Sequence, residues 1–218
     1  MVQASDGADN VTEHCLGRHA QTNAQKAAIV WQSENDDEQR TITYGELSDE
    51  MNRLANGLKA LGVNSGDAIT LFMPAVPEIV IAMLACTRIG AIHSTPDKNL
   101  SANELANHIE QQQSLIVITA NSDDNGKNNF KDQIDKACNQ LEKTNHVHHV
   151  IVLDLDPDTA HARDIDFYEL ASAQSDFCEA ESRCDRQTCG PAAQNHQIYR
   201  ALLNNKTIQI QNGEITIH

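Results

Sequence analysis

Four residues near the end of the chain, Cys178, Cys184, Cys189 and His196, are of the types that hold a transition metal. Their spacing, C-x5-C-x4-C-x6-H, contains no C-x2-C knuckle and matches no common zinc pattern, so no metal site is assigned. His146, His148 and His149 crowd the entry to an apolar run and read as a surface cluster. His93 ends a short strand-like stretch, where α/β proteins bind ligands. It is either a ligand contact or a hydrogen-bonded structural histidine, and the second reading is preferred. Arg88, near the end of an apolar helix, is expected to meet a carboxylate or the helix terminus before a phosphate. Trp31 and Tyr44 read as packing residues, and "NSGD" at 64–67 as a plain turn. There is no Ser/His/Asp arrangement, general-base pair or complete glycine-rich phosphate loop. No catalytic, cofactor-binding or metal residue is therefore assigned.

The elements that would position these residues are legible from periodicity. Residues 1–25 read as an irregular polar lead-in, and 26–44 as a hairpin around an acidic turn. Thr43 and Glu46 have capping-box spacing ahead of Leu47, Met51, Leu54 and Leu58, which predicts an amphipathic helix stopped at Gly62. "DAITLFM" (67–73) suits a buried strand. Pro77 suits the first turn of "PEIVIAMLACTRI", a helix apolar nearly all round and ended by Gly90. "AIHS", then a helix capped by Ser101 and Glu104, then "LIVITA", "NFKDQIDKACNQLEK" and "HVIVLDL" continue the alternation. That rhythm predicts an α/β fold with a mostly parallel sheet flanked by helices over residues 26–180. Beyond about residue 180 the pattern dissolves. Residues 181–218 read as a divergent tail closed by a hairpin in "TIQIQNGEITIH", with Asn212-Gly213 as a type I′ turn.

The 218 residues suffice for one domain with an appended tail, and the net charge of −15 argues against nucleic acid or an anionic membrane as partner. No run approaches the roughly 18 apolar residues of a membrane span. The opening "MVQASDGADNVTEH" lacks a basic and an apolar signal region, so a cytoplasmic chain with six reduced cysteines is expected.

The run from about Cys15 to Cys178 resembles the N-terminal part of acetyl-CoA synthetases, within the adenylate-forming acyl-CoA ligase superfamily. The resemblance is carried by "TITYGELSDEMNRLANGLKALGVNSGDAITLFMPAVPEIVIAMLACTRIGAIHS" and, less specifically, by "LIVITA", "HVIVLDL" and "DFYELAS". It covers most of this chain but only the opening part of a typical member. It implies the fold of that family's N-terminal subdomain.

The resemblance also marks departures. After the matching His-Ser pair the family reads like "VVFGGFSAEAL", whose glycines admit coenzyme A close to the backbone. This chain reads "TPDKNLSANEL", placing Asp97 where a polyanion would approach. After the family's "VITA" strand comes an arginine-bearing "RGG" element for coenzyme A phosphate. Here "NSDDNGKNN" stands instead, with Asp123 and Lys127, and a lysine lacks the bidentate fork of arginine. The family's "YTSGSTGKPKG"-like phosphate loop, later ATP motif, hinge and C-terminal lysine have no counterpart in these residues. Three readings follow: a truncated, catalytically incompetent synthetase-like protein that holds no cofactor; a regulatory or binding module; or a half-enzyme completed by a second chain. The expected partners are a second copy of itself or a full-length synthetase. The four isoleucines Ile208, Ile210, Ile215 and Ile217 share one hairpin face, which is expected to dock on the α/β body of its own chain or of a second copy.

Overall fold

The structure, a computed structural model, describes residues 10–33, 39–123, 126, 128–141, 147–181, 193–211 and 213–218, with 193–196 as backbone only. Three continuous apolar runs form its centre: β3 (Ala68–Phe72), β5 (Ile116–Ala120) and β6 (His149–Leu153). With β4 (Ile92–Ser94) and β7 (Asp164–Asp166) they make a five-stranded sheet of order β4-β3-β5-β6-β7, parallel at every pairing. Strands covered on both faces read as unbroken apolar runs, and β5 is buried at all its positions.

Each crossover helix is written locally. In α2 (Tyr44–Ala60) both halves of the capping box form, with Glu46 N–H donating to Thr43 Oγ1 and Thr43 N–H donating to Glu46 Oε2. The helix α4 (Ala102–Gln112) repeats the device with Ser101 and Glu104. Pro77 opens α3 (Pro77–Arg88), in which every residue but Ile79 is buried. Such a helix belongs between layers, and it packs against α2. Gly90, at φ +70°, takes the left-handed conformation that ends it. The helix α5 (Phe130–Leu141) follows β5, and α6 (Phe167–Ser172) follows β7. The sheet thus separates two cores. One gathers α2, α3 and Ile69 and Leu71 of β3; the other gathers α4, α5 and Phe72, Val117 and Val150.

A second sheet has the order β2-β1-β8-β9. The hairpin expected at 26–44 is β1 (Ala27–Gln32) against β2 (Gln39–Thr43). Beside β1, in parallel, runs β8 (Ile208–Gln211), which turns back antiparallel into β9 (Glu214–Ile217). The terminal hairpin therefore docks on the body of its own chain. Its register pairs Ile208 with Ile217 and Ile210 with Ile215, so the four isoleucines share a face as their alternation requires. Gly213 has φ +70°; Asn212 lies outside the described residues.

The structure corrects two expectations and adds a strand that no pattern announced. The lead-in is not irregular throughout: a π-helical turn (Glu13–Gly17) continues into α1 (Arg18–Thr22). Only Cys15, Leu16 and His19 of these segments are buried, too few to set a visible period. Their order comes from outside, because Asn10 Nδ2 donates to the Thr87, Arg88 and Glu181 carbonyls. The tail holds α7 (Ala193–Leu203), which buries Ile198, Tyr199, Ala201 and Leu202 behind a polar first half. The short β7, "DID", has one apolar residue and owes its pairing to β6.

Candidate functional site

In an open parallel sheet ligands enter at the carboxyl ends of the strands. At those ends of β3 and β4 lies a cleft of about 400 Å³. Leu71, Met73, Ala75 and Ile79 give it an apolar floor; Thr95 to Asn99 form one wall and Gly213 and Ile215 of the hairpin another. The stretch that breaks the α/β pattern is therefore a wall of an opening at the strand ends.

That wall is built around Asp97. Its Oδ1 accepts from Asn99 N–H and from Asn99 Nδ2, both at 2.8 Å, and its carbonyl accepts from Leu100 N–H at 3.2 Å. An Asx turn thus replaces the freedom a glycine would supply, and Asp97, Lys98 and Asn99 stand exposed on the rim. Asp123 sits on the next connection, where its carboxylate accepts from Asn128 N–H at 3.2 Å and Asn128 Nδ2 at 2.6 Å. It lines a smaller hollow of about 30 Å³ beside Trp31, Gln211 and Gly213. Gly213 at the hairpin tip thus borders both openings, with Asp97 in the wall of one and Asp123 in the wall of the other. Lys127 lies outside the described residues.

His93 does not line this cleft. It is wholly buried on β4, in register with Ile69, and burial pushes its imidazole down to about 4. The ring is therefore neutral at physiological pH. The neighbouring Ser94 faces the α4 side, where its Oγ lies 3.0 Å from His108 Nε2 and 3.4 Å from Thr70 Oγ1; Thr70 in turn meets Ser114 at 2.7 Å. This hydroxyl chain ties β3, β4 and α4 together, and none of its members lines the cleft at the strand ends. Sequence reading could not find it, since its members come from four segments.

Arg88 pairs with a carboxylate, as expected. Its guanidinium donates to Glu13, and its Nε and Nη2 donate to the Cys178 carbonyl at 2.9 and 2.6 Å. Cys178 is itself buried, and burial raises its thiol above the ordinary range. Cys184 and Cys189 lie outside the described residues, and of His196 only the backbone is described, within α7. His148 is exposed and His149 half-buried, while His146 is outside the described residues. Tyr44 is fully buried, donating to the Lys206 carbonyl at 2.8 Å, and Trp31 packs on the core. A buried Glu78 at the start of α3 holds Arg40 and Tyr168.

A family profile described as AMP-binding enzyme matches residues 16–193, well over half of the chain. The chain belongs to the AMP-binding enzyme family. It is 38% identical over 181 residues to the acetyl-coenzyme A synthetase of Psychrobacter cryohalolentis, covering 81% of this chain and 28% of that protein. The acetyl-coenzyme A synthetase of Xanthobacter autotrophicus is 39% identical over the same shares. The fold is shared with the coronafacic acid ligase of Pectobacterium brasiliense at a TM-score of 0.65 and 24% identity, covering 79% of this chain and 31% of that one. The chain thus spans little more than a quarter of the length of these synthetases, and corresponds to their N-terminal part. No helix among the described residues is long and apolar enough to cross a membrane.

Proposed function

We propose that these 218 residues are a synthetase-like module that forms no acyl adenylate by itself. The observation that carries this reading is a carboxylate in each of the two connections at the strand ends, where the family's glycines and arginine would stand. Asp97 and Asp123 stand at openings that the hairpin tip also borders. A triphosphate or a coenzyme A phosphate entering there would meet two carboxylates and an Asx turn, with Lys98 as the one cation among the described residues lining these two openings. Phosphate chemistry needs the reverse, a cradle of N–H donors and cations. Acetate-dependent exchange between ATP and pyrophosphate tests the reading: no exchange above a matched blank is expected. Exchange that co-purifies with the chain would overturn it.

A second reading, a module that docks on another chain, draws support from β9. Among the described residues it is the last strand of its sheet, and Ile215 and Ile217 are half-buried on it. An unpaired strand edge is a template for a further strand. A second copy and a full-length synthetase are the partners to try, by sedimentation of the chain alone and with the synthetase.

A further inference from the structure

The second sheet ends in two edges, β2 and β9, and they are not alike. The β2 edge carries the charged Arg40, whose guanidinium is held by the buried Glu78. The β9 edge reads Glu-Ile-Thr-Ile and is followed by His218. Native edges are commonly blunted by a lysine, a proline, a bulge or an inward charge. Between Glu214 and His218 there is no such residue, and β9 pairs with β8 without a shift of register.

The bonds to β8 fix which groups of β9 face outward. His218 N–H donates to the Thr207 carbonyl at 3.0 Å, and Thr207 N–H donates to the His218 carbonyl at 3.2 Å. Bonded pairs recur at every second residue of an antiparallel ladder, so Thr216 and Glu214 are bonded likewise to Gln209 and Gln211. The N–H and C=O groups of Ile215 and Ile217 therefore point away from β8, and among the described residues no other strand pairs with them. The side chains of these two residues share a face with Ile208 and Ile210, which are completely buried. Ile215 and Ile217 are only half-buried, and the cleft floored by Leu71, Met73, Ala75 and Ile79 opens beside Ile215. A free backbone edge and an incompletely covered apolar face thus coincide on one strand.

This strand is also its own complement. Two copies of β9 set antiparallel about a two-fold axis through Thr216 place Glu214 opposite His218 of the second copy, Ile215 opposite Ile217, and Thr216 opposite itself. The outward-facing isoleucines then bond to each other in both pairs, and isoleucine meets isoleucine on the half-covered face. Each carboxylate stands across from an imidazole instead of another carboxylate. A slip of two residues would centre one isoleucine on itself and leave the other with no isoleucine opposite.

We propose that the β9 edge is the interface of a symmetric homodimer, which joins two four-stranded sheets into one. The proposal rests on the docking reading of β9 given above and commits it to a second copy of the chain. One strand pair is smaller than a standard interface, so self-association at roughly 10–100 µM is expected.

Sedimentation equilibrium of the full chain from about 1 to 300 µM should pass from monomer to dimer. Thr216 is exposed, so Thr216→Lys should melt like the parent while setting two ammonium groups against each other on the axis. It should weaken association about tenfold. Thr216→Cys tests the register independently and decides the matter should the lysine variant not fold. On-axis Cα atoms of a non-bonded pair lie about 4.5 Å apart, within disulfide reach, so mild oxidation should give a covalent dimer that the parent chain does not give. Glu214→Cys, which faces His218 and not itself, should not cross-link. A chain monomeric throughout, a dimer indifferent to Thr216→Lys, or cross-linking of Glu214→Cys as readily as Thr216→Cys would each overturn the proposal. Co-sedimentation with a full-length acetyl-coenzyme A synthetase separates this from the docking reading. A chain that is monomeric alone but binds the synthetase keeps that reading and loses the homodimer.

Discussion

Ile208 of β8 lies in parallel register with Ile29 of β1, and neither has any exposed surface. The contact joins the two ends of the chain. It also makes the second sheet a composite, half N-terminal hairpin and half C-terminal hairpin.

The first prediction concerns that contact. Ile208→Ala and Ile210→Ala each leave a cavity in a fully buried site, and should each cost about 2–5 kcal/mol. Deleting residues 205–218 removes both and uncovers β1, so a lower melting temperature or aggregation is expected. Denaturant titration of the point variants and calorimetry of the deletion check this. Unchanged melting, solubility and oligomeric state would show that the hairpin contributes nothing to the body.

Arg88 and Glu13 form one ion pair but should not be equal in effect. Arg88 is 8% exposed at its side chain and Glu13 45%. Removing Arg88 strands the buried Cys178 carbonyl, for a loss of about 3 kcal/mol in Arg88→Ala. Glu13→Gln should cost about 1 kcal/mol or less, because that carboxylate is screened by water. Chemical unfolding of the two variants measures the difference, and equal losses would refute this division of roles.

The pH dependence carries the signature of His93. Burial holds its folded pKa near 4, against about 6.5 in the unfolded chain. Between those values the unfolded state binds a proton that the folded state refuses, so stability rises with pH through this window. It should be full above about pH 6.5 and fall by up to about 3 kcal/mol toward pH 4. The capping carboxylates Glu46 and Glu104, whose pKa values are lowered, lose their contribution in a separate window, below about 4.5. His93→Asn should flatten the unfolding free energy between pH 7 and pH 5. A slope identical to the parent's would assign the proton uptake elsewhere.

Coenzyme A should not bind usefully at micromolar concentration, because each connection at the strand ends presents a carboxylate, Asp97 or Asp123, in place of a glycine or arginine approach. Titration calorimetry checks this directly. Measurable heat of binding at that concentration would show that Asp97 and Asp123 do not repel the cofactor's phosphates.

Much of this fold is written in local terms. A capping box closes within four residues, a helix face repeats every three or four, and an Asn-Gly pair between alternating runs closes a hairpin on itself. Each signal is complete within a few turns of chain, so Thr43 with Glu46, Ser101 with Glu104, and the four-isoleucine face were all legible from sequence. So were the parallel sheet and the burial of α3, since unbroken apolar runs have nowhere to go but between layers. The departure at 95–99 was visible too, because it interrupts that regularity, and the one at 121–129 was visible only against the resembled family. Tertiary structure alone decided which edge the terminal hairpin would join, since alternation names a face but not a neighbour. It also decided that Asn10 orders the lead-in by capping a helix far along the chain, and that His93 is sealed away from the cleft. These relationships bring together side chains from segments distant in sequence. Their energies depend on distances that exist only once both cores have closed, and no periodicity within a single segment encodes them.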